Sequence, residues 1–308
     1  MDKNFCDIVI FGSGLSAKTM ALVARNAGLS FNIVTDKNFG NKINNDTRSL
    51  ALSVASKKML KVLGANIKAE AVKKMIVIEG GLGDEKIKSR LTFDRELVDE
   101  DIAFIAEHSV IEKSLDKALK LEDDELIREE VAKIEREKHK TKVTFKNKKS
   151  FMCRAVIFTE ILNSEFQDMY NVKYNFYEYG QAAISATLRH SKNHKGYAFQ
   201  FFQKNGPLAL LPMNNKRGNN YSSLVWTEKI DNIPSLLSSK KSLEESLNNL
   251  CSDYLGKISI SKGPSSFILK KLTGIKSISN SAIFVGDALR AMHPMAGQAW
   301  NQSLRDIA

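Results

Sequence analysis

The chain has 308 residues, of which 43% are hydrophobic and 26% charged, a composition typical of a soluble globular protein with one large or two ordinary domains. Its net charge of +11 would suit nucleic acid, but the lysines are scattered and form no basic helix or aromatic-interleaved groove, so we predict no nucleic-acid partner. No apolar run approaches the roughly eighteen residues of a membrane span, and the charge fits peripheral contact with an anionic membrane better.

The cysteines and the N-terminus indicate the compartment. Cys6, Cys153 and Cys251 are far apart in sequence and form no Cys-x-x-Cys pair, which favours a reducing environment. Asp2 and Lys3 lead directly into an apolar run, without the features of a signal peptide. The sequence therefore predicts a cytoplasmic protein that can associate peripherally with the inner membrane.

The first predicted elements form a strand, a glycine-rich turn, a helix and a second strand. The apolar run at 6–11 leads into Gly-Ser-Gly-Leu-Ser-Ala at 12–17, and a helical pattern then continues to Gly28. A second apolar run at 31–34 completes the unit. In such a unit the pyrophosphate of a dinucleotide lies on the helix N-terminus. A plain turn with two glycines is the alternative, and the flanking strand and helix favour the dinucleotide site.

Single residues of this unit have distinct predicted roles. Gly12 permits the tight turn, Gly14 lets a phosphate approach the backbone, and Ala17 lets the helix lie close to the strand. An acid should follow the second strand and bind a ribose hydroxyl. Thr35 occupies the expected place, and Asp36 follows one residue later. These five residues are the predicted nucleotide contacts of the N-terminal unit, and the identity of the dinucleotide stays open at this point.

The next part of the chain carries one candidate binding residue among ordinary elements. Arg48 follows a polar loop, where it could pair with a phosphate, pair with substrate or be a surface arginine. Helices are predicted at Val54–Leu63 and Ile102–Leu121 from their apolar periodicity. The lysine-rich segment Leu126–Phe151 alternates weakly, as expected of a solvated hairpin.

A strand-rich region follows and ends in a predicted helix at Ser242–Leu255. Such a run is typical of a sheet that forms one wall of a pocket. His190 and His194 are four residues apart, which on a helix would suit a metal, but they lie in an apparent loop without a third ligand, so we predict no metal site. The predicted strands lie at 75–79, 87–93, 154–158, 181–188, 198–203, 208–212, 222–226 and 258–260.

The C-terminal region contains a second motif. A buried strand, Ala282–Val285, ends at Gly286-Asp287, and a helix is predicted at Ala299–Asp306 after a Pro-x-x-Gly start. A strand-end aspartate can accept a hydrogen bond from an extended polyol, and a helix start presents free N–H groups to an anion. Together these features suit FAD, because the aspartate can bind the ribityl chain and the helix start can face the reduced flavin. An NAD dehydrogenase, the alternative, needs neither.

With these motifs the sequence resembles the flavin-dependent aromatic hydroxylases, and most closely the ubiquinone-biosynthesis hydroxylases, the UbiH-like monooxygenases. The Gly12–Gly28 unit is generic to many nucleotide folds, whereas three later segments are specific. These are Asp46-x-Arg48-x-x-Ala51-Leu52-Ser53, Gly206-Pro207-Leu208-Ala209-Leu210-Leu211-Pro212 with Leu224-Val225-Trp226, and Gly286-Asp287 to Asp306.

The resemblance implies that a flavin C4a-hydroperoxide adds one oxygen atom from O2 to the ring of a polyprenyl phenol, with NAD(P)H as reductant. Other quinone-biosynthesis proteins are implied as partners. Gly286-Asp287 would bind the ribityl chain, and Arg48 would lie near the flavin and its phosphates. The flavin ring would be lined by Pro294 and Gly297-Gln298, with His293 beside it as the candidate acid or base. An apolar substrate would face Leu210, Leu211 and Pro212.

The resemblance also implies a fold and a division of the chain. The fold is α/β, with a Rossmann-like FAD-binding domain of the glutathione-reductase type interleaved with a mixed-sheet substrate domain, as in p-hydroxybenzoate hydroxylase. The FAD-binding domain would comprise 1–74, 98–166 and 273–308, and the substrate domain 75–97 and 167–272. The family normally continues for several dozen residues beyond the last helix, so a C-terminal helical cap is expected to be absent.

The chain departs from the family pattern in the motif that is tied to NAD(P)H. The family usually has Asp-Gly after the strand that ends at Phe158, and an arginine several residues later. Here those places hold Glu160-Ile161 and Gln167, and Ala299 replaces the glycine after Gly297-Gln298. The departures favour a second reading, a non-catalytic or weakly active flavoprotein fold within a quinone-biosynthesis assembly. The Gly286-Asp287 pair and the segment from His293 to Gln298 favour the active enzyme.

Overall fold

The computed structural model describes residues 5–35, 47–80, 86–97, 99–216, 218–274, 276–279, 282–293 and 297–308. Asp36 and Pro294, two predicted site residues, lie outside these ranges. The helices are α1 (Leu15–Asn26), α2 (Val54–Val62), α3 (His108–Leu119), α4 (Ser164–Tyr170), α5 (Ile233–Leu236), α6 (Lys240–Leu255) and α7 (Ala299–Ile307). The strands are β1 (Phe5–Phe11), β2 (Phe31–Val34), β3 (Ser49–Leu52), β4 (Glu70–Val72), β5 (Lys74–Glu79), β6 (Ser89–Asp94), β7 (Ala103–Glu107), β8 (Leu126–Ile127), β9 (Val131–Glu137), β10 (Lys140–Phe145), β11 (Ser150–Phe158), β12 (Tyr174–His190), β13 (Tyr197–Gln203), β14 (Gly206–Lys216), β15 (Asn219–Lys229), β16 (Ile258–Gly274), β17 (Ile278–Ser279), β18 (Ala282–Phe284) and β19 (Arg290–Ala291).

The first sheet is a nucleotide-binding type of sheet with a parallel centre. Its strands run in the order β17-β18-β11-β1-β2-β8, with the β9–β10 hairpin attached to β11. Strand β1 pairs in parallel with both β11 and β2, and β11 pairs in parallel with β18. Alternate side chains of β1 enter two cores: Ile8 and Ile10 pack against α1, α3 and α7, while Val9 and Phe11 pack beneath β10 and α4. Burial on both faces explains why these strands are continuous apolar runs.

The second sheet is mixed and larger, with the strand order β19-β16-β12-β15-β14-β13-β5-β6. One face carries a core of Ile76, Phe201 and Leu224 that packs against the apolar side of α6. Over part of its other face lies a three-stranded sheet with the order β3-β7-β4. The parallel first sheet and the mixed second sheet match the predicted fold class.

Two predicted elements differ from the structure. The helix predicted at Ile102–Leu121 is a strand, β7, followed by the shorter helix α3. Residues 103–107 are extended because β3 and β4 pair with them on either side, a long-range contact that overrides the local helical periodicity. The predicted strand at 258–260 is the first part of the long strand β16, which pairs with β12 along nearly all its length.

All three cysteines are buried and reduced. Cys6 and Cys153 lie opposite each other in the register of β1 and β11, and Cys251 lies in α6. Burial raises the pKa of each thiol to about 12. Among the described residues, no helix combines the length and the apolar character that crossing a bilayer requires.

Candidate functional site

The glycine-rich turn at the carboxyl end of β1 admits only glycine at its first position. Gly12 has φ +138°, and a Cβ there would lie 2.2 Å from the Thr159 Oγ1 atom. Thr159 is fixed in this place because its hydroxyl donates to the Phe11 carbonyl at 3.0 Å. Gly14 then caps α1, so that the N-terminus of a twelve-residue helix faces the carboxyl edge of the sheet. A phosphate could approach this backbone as closely as the predicted role of Gly12 and Gly14 requires.

The backbone amides of this turn bind a carboxylate of the same chain. Glu160 Oε1 accepts hydrogen bonds from the Ser13 amide at 2.6 Å, the Gly14 amide at 3.2 Å and the Ser13 hydroxyl at 3.3 Å. Glu160 follows β11, which is the parallel neighbour of β1, so the two strand ends meet at one edge of the sheet. The turn is therefore an anion site, and Glu160 supplies an anion to it.

The C-terminal motif lies against the N-terminal unit. Gly286 has φ +60°, and a Cβ there would lie 2.9 Å from the Ser16 hydroxyl, so the turn Gly286–Ala288 packs on the first turn of α1. The Asp287 side chain is exposed, yet the surrounding protein desolvates it and raises the pKa of its carboxyl. The negative charge of Glu160 raises this pKa further, and the positive charge of Arg48 lowers it. Arg48 and Glu160 therefore lie close enough to Asp287 to act on its carboxyl, although the sequence separates the three residues widely.

A buried asparagine joins the turn before α7 to strand β3. Asn301 Oδ1 accepts from the Ser53 amide at 2.9 Å, and Asn301 Nδ2 donates to the carbonyls of Ala51 at 2.8 Å and Gly297 at 3.1 Å. Gly297 has φ +61°, and a Cβ there would lie 2.7 Å from the Ala51 Cβ. Two of the sequence segments that resemble the hydroxylases are therefore held together through one side chain.

Other predicted site residues lie in different surroundings. Thr35 is buried, and its amide donates to the Ile127 carbonyl at 2.9 Å. His293 is half-buried, its ring meets Tyr179 edge to face with a centroid distance of 5.2 Å, and desolvation lowers the pKa of its imidazole below 6.5. Gln298 stands at the N-cap of α7, and its carbonyl accepts from the Gln302 amide at 3.0 Å.

The structure places the residues of the predicted substrate wall on both faces of β14. Leu210 belongs to the core between the second sheet and α6, and Pro212, two residues on, lies on the same side of the strand and is buried. Leu211 points to the opposite face, where it packs beside the three-stranded sheet. Leu210 is only 1% exposed, so a substrate could reach it only by displacing the side chains of this core.

His190 and His194, the two histidines whose spacing could suit a metal, form hydrogen bonds with other groups of the protein. His190 pairs through Nδ1 with the Lys192 carbonyl and through Nε2 with the Ser222 hydroxyl, at 2.8 and 2.9 Å. His194 Nε2 lies 3.0 Å from the Met213 carbonyl, and its Nδ1 accepts from the Gly196 amide. Within the described ranges, no group of three or more His, Cys, Asp or Glu side chains is placed to hold a metal ion.

A cleft of about 480 Å³ opens beside the glycine-rich turn. Its walls combine aromatic side chains with several carboxylates, and Lys146, which lines it too, pairs with Glu130. The residues that line it include Phe11, Phe158, Glu129, Glu130, Glu160 and Glu165.

Sequence reasoning identified the segments but not all the residues that position them. In the sequence, Glu160 stands out only because it replaces the aspartate of the family's Asp-Gly motif. An acid directly after a strand parallel to β1 must nevertheless lie near the glycine-rich turn. Asn301 was missed, and its signal is an asparagine on the apolar side of α7, between Trp300 and Leu304. Ser16 gave no signal, since its contact with Gly286 depends on the tertiary fold.

Comparisons with known proteins agree with this geometry. No protein-family model matches the chain. The ubiquinone hydroxylase UbiL of Rhodospirillum rubrum is 32% identical over 166 residues, which cover 54% of this chain and 38% of that protein. The 3-demethoxyubiquinol 3-hydroxylase of Escherichia coli is 23% identical over 100% of this chain and 79% of its own length. The crystal structure of PqsL, a probable FAD-dependent monooxygenase from Pseudomonas aeruginosa, superposes with a TM-score of 0.78 at 16% identity, over 99% of this chain and 84% of that one.

The chain therefore has the fold of the FAD-dependent aromatic monooxygenases, the p-hydroxybenzoate hydroxylase type. Its sequence is similar to those of the ubiquinone-biosynthesis hydroxylases, in agreement with the resemblance that the motifs predict. The match to UbiL spans less than half of that relative's length.

Proposed function

We propose that the protein is an FAD-dependent monooxygenase that hydroxylates the aromatic ring of a polyprenyl phenol in ubiquinone biosynthesis. The observation that carries this proposal is that the turn at Gly286 packs on the first turn of α1, after the glycine-rich turn, and that Arg48 lies close enough to act on the Asp287 carboxyl, within a hydroxylase fold. A cofactor in which a pyrophosphate is joined to a polyol chain, as in FAD, needs such an arrangement. The names of the related hydroxylases support the same activity.

The described residues fit FAD. The amides of Ser13 and Gly14 already bind a carboxylate, so their suitability for an anion is observed directly. We propose that they hold the pyrophosphate, that Asp287 accepts hydrogen bonds from the ribityl hydroxyls, and that the backbone at Gly297 faces the flavin ring. When bound, the flavin would supply the oxidation chemistry, which is the activation of O2 and the transfer of one oxygen atom to the aromatic ring of the substrate. NAD(P)H is the proposed reductant.

The protein contributes positioning and a proton acceptor. Burial lowers the pKa of the His293 imidazole and so favours its neutral form, and Tyr179 packs against its ring. A neutral imidazole can accept the proton of a phenol hydroxyl and so raise the electron density of the ring that is to be hydroxylated. We propose His293 for this role, with Arg48 beside the cofactor phosphates.

The second sheet offers an apolar surface for the substrate. Leu211 lies on the face opposite α6. Along the same face, towards the edge strand β6, Leu91 is 56% exposed, Phe93 48% and Phe202 41%. A polyprenyl tail could cover these side chains and remove their apolar surface from water. We propose that the predicted division into an FAD-binding and a substrate-binding domain follows the two sheets.

The substrate class also suggests where the protein works. A polyprenyl phenol resides in a membrane, and the net charge of +11 favours contact with anionic lipid. We therefore propose that the protein associates peripherally with the membrane, together with other quinone-biosynthesis proteins. Co-sedimentation with vesicles that contain anionic lipid should weaken as salt rises, and binding that is insensitive to salt and lipid charge would contradict this part of the proposal.

A reconstitution experiment tests the activity. Purified protein is incubated with FAD and examined for the visible spectrum of bound flavin. The consumption of NADH and of NADPH is then measured in the presence of a short-chain polyprenyl phenol as substrate, and the mass of the product is determined by mass spectrometry. The proposal expects a product that is heavier by one oxygen atom. Protein that takes up no flavin would contradict it, and bound flavin without any product would favour the non-catalytic alternative.

A further inference from the structure

We infer that Glu160 is a built-in competitor of FAD, which must leave the amides of Ser13 and Gly14 before the cofactor pyrophosphate can bind them. This inference rests on the proposed function, since it concerns the same cofactor site. It assigns to Glu160 control of cofactor affinity, with no part in the oxidation itself.

The contacts are those that a phosphate oxygen would make. One carboxylate oxygen accepts from two successive amides and from the Ser13 hydroxyl, with the shortest distance 2.6 Å. These donors belong to the N-terminus of α1, where the helix dipole favours a negative charge. An oxygen of Glu160 and an oxygen of a pyrophosphate cannot occupy this position together. The two anions therefore exclude each other from the same donors.

The cleft beside the turn offers space for a second position of the Glu160 carboxylate. The Glu160 side chain lines this cleft of about 480 Å³, together with Phe11 and Phe158, and its neighbour Ile161 is 48% exposed. A rotation about the side-chain torsions of Glu160 would move its carboxylate from the amides into that cleft, and the backbone of β11 would not have to move. Two arrangements of Glu160 are thus available, one that closes the anion site and one that opens it.

The surroundings make the open arrangement costly. Glu129 and Glu165 line the same cleft, where Lys146 neutralises Glu130, and desolvation and the negative charge of Glu160 raise the pKa of the nearby Asp287 carboxyl. A displaced Glu160 carboxylate would leave two amide donors for a region that already holds several acidic groups. The closed arrangement is therefore favoured in the absence of FAD. If the open state is populated to on the order of one-tenth, the apparent Kd for FAD rises about tenfold.

The test compares FAD affinity in matched variants. Glu160→Gln removes the charge and keeps the shape, and Glu160→Ala removes the side chain. Glu165→Gln is the control, because Glu165 lines the same cleft with the same charge but is exposed in the first turn of α4. FAD binding is measured by titration calorimetry on cofactor-free protein, after circular dichroism has shown that each variant is folded.

The inference expects both Glu160 variants to bind FAD about tenfold more tightly than the unaltered protein, and Glu165→Gln to stay within about twofold of it. Equal or weaker binding by the Glu160 variants, with FAD binding to the unaltered protein intact, would overturn the inference and leave the proposed function standing. Failure of all four proteins to bind FAD would instead refute the proposed function itself.

Amide hydrogen exchange gives a second readout that needs no cofactor. In the FAD-free protein, the Ser13 and Gly14 amides should exchange slowly because the Glu160 carboxylate protects them. Glu160→Ala should accelerate both, while Glu165→Gln should leave both unchanged. Unprotected amides in the unaltered protein would show that Glu160 does not occupy the anion site, and would overturn the inference.

Discussion

Replacing Asn301 with alanine should destabilise the protein by about 3 kcal/mol. Its side chain is 1% exposed and makes three hydrogen bonds, to the Ser53 amide and to the carbonyls of Ala51 and Gly297. Each is worth about 1 kcal/mol net, and alanine leaves all three partners without the side-chain atoms that satisfy them. The loss should appear as a lower guanidinium midpoint with an unchanged slope of unfolding free energy against denaturant concentration.

Gln302→Ala is the control for this substitution. Gln302 is the next residue of the same helix and is half-exposed, so its replacement should change the unfolding free energy by less than about 0.5 kcal/mol. Asn301→Asp retains an acceptor for the Ser53 amide but loses both donated bonds, and we expect an equal or larger loss because it also buries a charge. If Asn301→Ala lowers the midpoint no more than Gln302→Ala does, the network does not stabilise the fold.

Three further substitutions or titrations probe the same region. Gly297→Ala should lower the unfolding free energy by about 1–3 kcal/mol, because its Cβ would lie 2.7 Å from that of Ala51 and φ is +61°; thermal melts should show partial rescue by Ala51→Gly, and no rescue would contradict the steric part. The raised pKa of Asp287 means that its ionisation disfavours the fold above pH 3.8. The cofactor-free Asp287→Asn variant should therefore have a higher melting temperature than the unaltered protein at neutral pH, and the difference should shrink as the pH falls towards 3.8. A difference in melting temperature that does not depend on pH would refute this. NMR titration of His293 should give a midpoint below 6.5, because burial penalises the imidazolium, and a midpoint at or above 6.5 would contradict it.

The local sequence pattern was sufficient to predict those parts of the fold whose structure depends on residues close together in the sequence. The unit from β1 to β2 could be predicted because a buried strand, a glycine-rich turn and a helix each leave a signal within a few residues. Strand β7 could not, because its extended form depends on pairing with β3 and β4, which lie far away in sequence. The apolar residues at 103–106 fit equally well a short strand that is buried on both faces, as Ile105 and Ala106 are.

The candidate site shows the same limit at the level of single side chains. The alternation of β14 was readable, but which of Leu210 and Leu211 faces α6 depends on the side of the sheet that the helix covers. The sequence pattern predicts a ligand-binding strand-end acid at Asp287, whereas Glu160, at the equivalent position after β11, stands out only as a departure from the family motif. Its contact with the Ser13 amide follows from the parallel order of β1 and β11, which the sequence does not state.

The three buried cysteines give the protein a practical advantage for spectroscopy. With a pKa of about 12, only about one thiol in a hundred thousand is ionised at pH 7, and each lies inside a packed core that maleimides and spin labels cannot enter. A single cysteine introduced at the exposed position Ile161 would therefore be labelled alone, with no need to remove Cys6, Cys153 or Cys251. Such a probe would sit at the mouth of the cleft and could report its opening in real time.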